Sequence, residues 1–562
     1  LSTLTSVEQS PVILYAIVKN NEWVQYHDTL QTELDKLRTF YVSREEIHEA
    51  KQYMLHDYHY QFLKLSQRAN FLGFYSALNQ GECISSLEKL VNSITQEDFV
   101  RIIEKYFHSN PVQTKMLPES STEDITPDPE PEHHKPLYTK SEVKDAGTML
   151  EFQSGLKVLC VKSEEPIAAC ELFAGNLAEL ATRFPAGTPT LMQRVISKGT
   201  THLDKEQISK IMDNLGARYS TVCRDTLTRK EDYRCSLKAP VENFLQSLDL
   251  FCSFFVEASF PDKEIQVQKD SMKLELKSLP DVLSRYCMHN ALINYFEDHP
   301  YGQSNLSTQS ILKNISRKDL EEFYALFYNP KNVMLVIGSS FSPDEIAKQI
   351  QSSLNSKMGT LEFSLKENKI PKEFQSKLLG ETRTIKCEKQ QGYIIPVYPF
   401  PGRHNREDYF TAILVNEILG GGMSSRYFRN MRDEKSFGYE IGSTYVAYGN
   451  HGLFLSFLGT RPDRLEEASQ CFKEEVQALV NNLLSPGELQ KAKSLVLSQY
   501  EMAGETLGEQ IYRLGNHIIK GLPIDSIGEY QKSIKAVTVE QVQKFAARYF
   551  NSPCFEQRVS PS

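Results

Sequence analysis

With 562 residues and a mass of 64.3 kDa, the chain is several times the size of one ordinary domain of about 150 residues. Its 40% apolar and 24% charged residues, with 28 Gly and 25 Pro, are those of a globular protein and exclude collagenous, low-complexity and wholly disordered classes. A formal charge of −9 provides no basic footprint for nucleic acid or anionic lipid, and no apolar run reaches the roughly 18 residues of a membrane span.

The first strand-like run is Val12 to Val18, and the lone Trp23 beside it reads as a core or rim aromatic. Ser43 followed by Glu46 is a capping-box start for a long amphipathic helix. That helix carries His56 and His59 around Asp57; without a third convergent ligand they read as a solvated face rather than a metal pair. A shorter helix runs from Thr95 to Tyr106-Phe107. Between Pro118 and Pro136 stand five prolines and six acids. Proline removes donors and like charges repel, so 118–145 is expected to be an extended linker, with His133-His134 solvated inside it.

Beyond the linker, strand-like Gly155–Val161, Ala168–Phe173, Tyr233–Leu237 and Val333–Ile337 alternate with helical Lys205–Gly216, Val241–Glu257 and Lys263–Lys277. A polar stretch at 356–372 reads as a second linker. After it come the strand Tyr393–Phe400, the helix Glu407–Leu419, the strands Tyr439–Ala447 and Leu453–Leu458, and the helix Arg464–Asn482. Gly420-Gly-Gly422 lacks the Lys-Ser/Thr of a phosphate loop and reads as a tight turn into a helix from Met423. Strands in mixed order between long helices predict α+β modules, each a sheet covered by helices. The ten cysteines are scattered, with no CxxC; they read as small buried residues and favour a reducing, cytoplasmic compartment, with periplasmic or organellar placement left open.

The chain repeats itself. Ser43, Glu46, Ala50, Lys51, Tyr58, Leu65, Leu72 and Gly73 recur as Ser485, Glu488, Ala492, Lys493, Tyr500, Leu507, Leu514 and Gly515, always 442 residues on. Thr95, Tyr106 and Phe107 recur as Thr538, Tyr549 and Phe550 after a one-residue shift, and Ser316 to Phe327-Tyr328 is a third, shorter echo. Related modules follow, and the segment before the linker is too short to be a complete copy.

Gly420-Gly-Gly-Met-Ser-Ser-Arg426, the run Tyr427 to Arg432 and on to Tyr439, and His299-Pro-Tyr-Gly302 strongly resemble the second half of the pitrilysin/insulinase family of zinc metallopeptidases, the inverzincins. The resemblance implies repeated α+β modules of a mixed, largely antiparallel sheet covered by helices, of the LuxS/processing-peptidase type, paired into a bowl-shaped half. It sets residues 1–117 as the C-terminal part of module two, 146–355 as module three and 373–562 as module four. It also implies that module one and the start of module two lie outside this sequence, which opens on Leu1.

In that family zinc is held in module one by His-x-x-Glu-His and a downstream glutamate. No His-x-x-Glu-His occurs here. Counting back from Gly199-Thr200, the motif positions are Thr190, Leu191, Met192, Gln193 and Arg194, and Glu275 resembles the downstream glutamate. One carboxylate does not make a zinc site, so no metal or cofactor is expected in this chain, and zinc is expected in the absent N-terminal module. Arg194 and Glu275 are expected to face each other as an ion pair, because an unpaired buried carboxylate is costly. The resemblance assigns Arg432 and Tyr439 to substrate binding, reaching across a closed chamber towards the scissile peptide.

These readings predict the non-zinc C-terminal portion of a metalloendopeptidase, inactive alone, with peptide substrates and an N-terminal zinc-bearing half as partners. The alternative is a non-catalytic scaffold or peptide-binding subunit beside a separate active peptidase.

Overall fold

The computed structural model describes residues 2–3, 12–13, 43–61, 65–77, 87–106, 138–144, 146–222, 227–228, 230–358, 370–523 and 528–562. Residues 14–18, Trp23, His133-His134, most of the first linker and residues 359–369 of the second lie outside them, as does the side chain of His59.

After a short pairing of β1 (Ser2–Thr3) with β2 (Val12–Ile13) come α1 (Arg44–Gln61), α2 (Leu65–Ala77), α3 (Leu87–Ser93) and α4 (Gln96–Tyr106). The expected capping box is formed: Glu46 N–H donates to Ser43 Oγ at 3.1 Å and Ser43 N–H to Glu46 Oε2 at 2.8 Å. His56 is buried rather than solvated. Its ring lies against Gly216, where φ is +63° and a Cβ would come within 1.9 Å of Nδ1. Only glycine allows both that backbone and that approach.

A seven-stranded sheet holds β3 (Tyr138–Val143), β4 (Gly147–Phe152), β5 (Lys157–Lys162), β6 (Ile167–Ala174), β7 (Arg218–Ser220), β8 (Tyr233–Pro240) and β9 (Val333–Ser339) in the order β3-β4-β5-β9-β6-β8-β7. A five-stranded sheet holds β10 (Thr382–Cys387), β11 (Gly392–Pro401), β12 (Ile441–Ala447), β13 (His451–Thr460) and β14 (Phe555–Pro561) in the order β10-β14-β11-β13-β12. Among the described strands each sheet has one parallel pair, β5–β9 and β10–β14, and is otherwise antiparallel. Strand β3 falls inside the stretch read as linker. The proline and acid signal ends at Pro136, and Tyr138–Val143 pair with β4 along their whole length, with Tyr138 Oη donating to Asp344 at 2.5 Å.

Both sheets are covered on both faces, which is why their strands read as nearly unbroken apolar runs. In β6, Ala168, Cys170 and Leu172 point to the module's own helices, while Ala169 and Phe173 point the other way. The own-side helices of the first sheet are α5 (Leu177–Ala181), α6 (Thr188–Val195), α7 (Lys205–Asn214), α8 (Phe244–Ser253), α9 (Asp262–Ser278), α11 (Gln309–Asn314), α12 (Arg317–Phe327) and α13 (Pro343–Ile350). Those of the second are α14 (Arg406–Gly420), α15 (Leu465–Asn481), α16 (Pro486–Met502), α18 (Tyr530–Ala536) and α19 (Val539–Phe550).

The two remaining helices are exchanged. Helix α10 (Leu283–Phe296) leaves the first module and lays Cys287, Ala291, Tyr295 and Phe296 on Tyr393, Ile395 and Val397 of the second sheet. Helix α17 (Leu507–Ile519) lays Leu507 and Ile511 on Leu159, Phe173 and Val336 of the first. Each such fully buried aliphatic side chain stabilises the pair by about 1.5–3 kcal/mol. The seam is closed by Glu231, which accepts from Arg403, from Tyr301 Oη at 2.7 Å and from Gly449 N–H at 2.8 Å. Tyr301, from the His-Pro-Tyr-Gly run, stacks on Tyr448 with ring centroids 4.2 Å apart.

Candidate functional site

The first place to look is helix α6. Thr190 and Gln193 are buried: Thr190 Oγ1 lies 3.1 Å from Tyr233 Oη, and Gln193 Nε2 lies 4.0 Å from Cys235 Sγ. Arg194, on the outer face, donates from Nη2 to Glu275 Oε2 at 2.6 Å, the ion pair expected from the sequence. A second guanidinium joins it. Arg285, at the start of α10, donates to Glu275 Oε1 at 2.9 Å. Nothing in the sequence singled it out, because it stands ten residues from Glu275 across a turn and only the docking of α10 brings it in.

Burial of Glu275 pushes its pKa up, but the hydrogen bond and charge of Arg194, then the charge of Arg285, outweigh this and leave it below the ordinary carboxylate value. These donors do not fit zinc. A hydroxyl turned to a tyrosine, a buried amide and a guanidinium offer neither imidazole nor thiolate, and the Arg194 cation already sits on the one carboxylate. Among the described residues, no group of three or more His, Cys, Asp or Glu could hold a metal ion.

The second place is the turn from Arg432 to Tyr439. Helix α14 ends at Gly420, packed so closely on the edge strand β12 that a Cβ there would lie 2.4 Å from Ser443 N. Gly420 therefore serves close approach, the chain turns through residues 421–425 as expected, and helix resumes only at Arg426 rather than at Met423. Residues Tyr427–Glu434 form a π-type helix, a wider winding frequent at functional sites. Its start is gripped by Arg426, which makes two bonds to Glu488 at 2.8 and 3.1 Å. Glu488 is the glutamate of the repeated Ser-x-x-Glu pattern. Here only Ser485 Oγ caps, accepting from Glu488 N–H at 3.1 Å, while the carboxylate is diverted to Arg426.

From the π-type helix, Arg432 Nη1 donates to the Tyr439 carbonyl at 3.2 Å, with its guanidinium 4.4 Å from the Phe428 ring centroid and 5.5 Å from that of Tyr439. Phe437 is buried under Arg464, and its carbonyl accepts from Thr460 Oγ1 at 2.6 Å. On the other side the Glu440 carbonyl accepts from Gly459 N–H at 3.0 Å, so the loop is pinned on both sides of Tyr439, yet the tyrosine itself is 89% exposed. It borders a cleft of about 360 Å³ that Gln390, Gln391, Glu440 and Arg461 also line. A rigid main chain that presents an exposed phenol beside a guanidinium can donate hydrogen bonds to a carbonyl brought to it.

The family model described as "Insulinase (Peptidase family M16)" matches residues 168–309, and that described as "Peptidase M16 inactive domain" matches 314–496. Among curated proteins, an uncharacterized zinc protease, YmxG, of Bacillus subtilis (strain 168) is 24% identical over 381 residues, 67% of this chain and 88% of its own length. An uncharacterized zinc protease of Rickettsia bellii is 25% identical over 382 residues, with the same coverage, 67% and 88%. Among solved structures, the peptidase M16 inactive domain from Pseudomonas fluorescens superposes with a TM-score of 0.66 at 20% identity, over 76% of this chain and 98% of that one. The periplasmic protease PqqL from Escherichia coli superposes with a TM-score of 0.61 at 14% identity, over 95% of this chain and 63% of that one. The fold, sheets of mixed orientation covered by helices, is that of M16-like peptidase domains.

Proposed function

The chain belongs to the insulinase family of M16 peptidases, and from that premise we propose that it is a zinc-free, peptide-holding portion of a metalloendopeptidase. In this reading it forms one wall of a chamber, and a zinc-bearing half supplies the metal-dependent chemistry. The observation that carries the proposal is Tyr439, whose side chain is exposed to solvent although its own carbonyl is held by Arg432, Phe437 before it by Arg464 and Thr460, and the carbonyl of Glu440 after it by Gly459 N–H. A phenol kept exposed on a rigid main chain is suited to meet a substrate carbonyl from outside the module, and Arg432 holds it there.

Two features support a peptide as the substrate class: the curated relatives are named zinc proteases, and the cleft beside Tyr439 is of side-chain size. The donor set around Glu275 does not suit zinc, so the chain alone is not expected to hydrolyse peptides. That same feature favours the second reading, a non-catalytic subunit that binds peptide beside a separate active peptidase.

Kinetics of a zinc-loaded assembly, this chain combined with a zinc-bearing half, test the first reading. Tyr439→Phe should lower kcat by about 10²-fold, the usual cost of one oxyanion donor, and Arg432→Ala should also raise KM. Zinc content should not change. Kinetics unaltered in both variants would return the two residues to a purely structural role.

A further inference from the structure

The cluster around Glu275 carries more positive charge than it needs. One carboxylate accepts from two guanidiniums, at 2.6 Å from Arg194 and 2.9 Å from Arg285. The group therefore keeps a net positive charge where α6, α9 and α10 converge. The two arginines differ in position: the side chain of Arg194 is 14% exposed and that of Arg285 41%, so one lies at the floor of the site and the other at its mouth. Each guanidinium carries five N–H donors in a planar fork, and each gives one of them to Glu275. Arg194 Nε is buried and meets no acceptor among the described residues.

Two described neighbours leave the surplus uncancelled. His289, about one turn along α10 from Arg285, has its pKa pushed down to about 4 by burial, then by the charges of Lys230 and Arg285; near neutral pH it is uncharged. Asp281, in the turn before α10, is committed to Lys389 at 2.6 Å. Unspent donors on two charged forks, beside a carboxylate that holds them in place, match a second carboxylate approaching from solvent.

We propose that Arg194 and Arg285 form a subsite for a carboxylate of a bound peptide, either its C-terminal carboxylate or an acidic side chain. The proposal rests on the peptide-holding reading above and deepens it. Peptides that enter would be selected for a negative group by the remnant of a site that, in this chain, no longer suits a metal. Glu275 is a positioning residue here, since it touches the arginines and not the peptide.

The test is fluorescence anisotropy on the whole 562-residue chain, with a labelled, otherwise uncharged peptide made as the free acid, as the C-terminal amide, and as the amide with one internal Asp. The free acid is expected to bind about tenfold more tightly than the plain amide, a difference of about 1.4 kcal/mol, and the preference should shrink as salt screens it. The Asp-bearing amide separates the two sources: recovery of the tight binding points to acidic side chains, and no recovery to the chain terminus.

Arg285→Gln should abolish the preference. Glu275→Gln, which adds one net positive charge, should widen it, whereas a merely structural ion pair predicts no effect on the acid-to-amide ratio. Equal affinity for acid and amide in the unaltered protein would overturn the subsite while leaving peptide holding intact. Failure of every peptide to bind would overturn both. A preference that survives Arg285→Gln, or that narrows with Glu275→Gln, would also overturn the assignment.

Discussion

Replacing Glu231 by alanine tests whether one buried carboxylate holds the two modules in register. Its side chain is 17% exposed and that of Arg403 7%. Besides that ion pair, Glu231 accepts from Tyr301 Oη and Gly449 N–H. Breaking a buried pair by removing one partner costs about 3–5 kcal/mol, because the other charge stays buried. Arg403 keeps the carbonyl of Lys520 at 3.1 Å and that of Ala447 at 3.4 Å, which places the cost at the lower end, about 3 kcal/mol. At about 2.1 cal/mol/K per residue over roughly 400 cooperative residues, this lowers Tm by about 3–4 °C.

The pH dependence has a definite sign. Burial raises the pKa of Glu231, but the charge and hydrogen bond of Arg403, with the bonds from Tyr301 and Gly449, bring it below the ordinary carboxylate value. A carboxylate with a lowered pKa in the folded state stabilises fully above its unfolded value of about 4.3, and the contribution is lost as pH falls through the folded value. Calorimetry of wild type, Glu231→Ala, Arg403→Met and the double variant, at pH 7 and below pH 4, provides the assay. The double variant should recover part of the loss, and the difference between wild type and Glu231→Ala should shrink in acid. Additive single effects, or a Tm change that does not depend on pH, would refute the reasoning.

The repeat makes a paired prediction. Gly515→Ala would set a Cβ 2.1 Å from Phe173 Cε2 in the exchanged helix, and overpacking of this kind should cost about 1–3 kcal/mol. At the matching Gly73 no atom of the described residues would lie within 4 Å of an added Cβ, so Gly73→Ala in a helix should be neutral or gain up to about 1 kcal/mol; urea unfolding of both variants compares them. Tyr439→Phe, which removes only an exposed hydroxyl, should leave the stability within about 0.5 kcal/mol of wild type, read by calorimetry. For zinc, equilibrium dialysis with metal analysis should find none bound stoichiometrically at Thr190, Gln193, Arg194 and Glu275, a set without imidazole or thiolate. Uptake abolished by Glu275→Ala would show that Arg194 can swing away.

Much of the architecture was written locally. Apolar runs marked β6, β8, β9, β11 and β13 to within a few residues, and the Ser43 and Thr538 caps mark helix starts because capping is a bond between neighbours. The internal repeat made modular organisation legible, and the resemblance at Gly420 to Tyr439 pointed to the family. The missing imidazoles at 190 and 194 are likewise a property of the sequence alone.

What tertiary structure decided is everything that depends on which module a residue meets. Helices α10 and α17 carry no mark that they cross to the other sheet, since burial on a partner's face and on one's own use the same apolar residues. Glu488 has the spacing of a capping-box glutamate, and only the arrival of Arg426 from a distant turn diverts it. His56 sits where a solvated helix face was expected and is buried, because Gly216 of another segment comes up against it. Arg285 joins Glu275 for the same reason: charge pairs form between groups that folding brings within a few ångströms, and sequence separation carries no information about that distance.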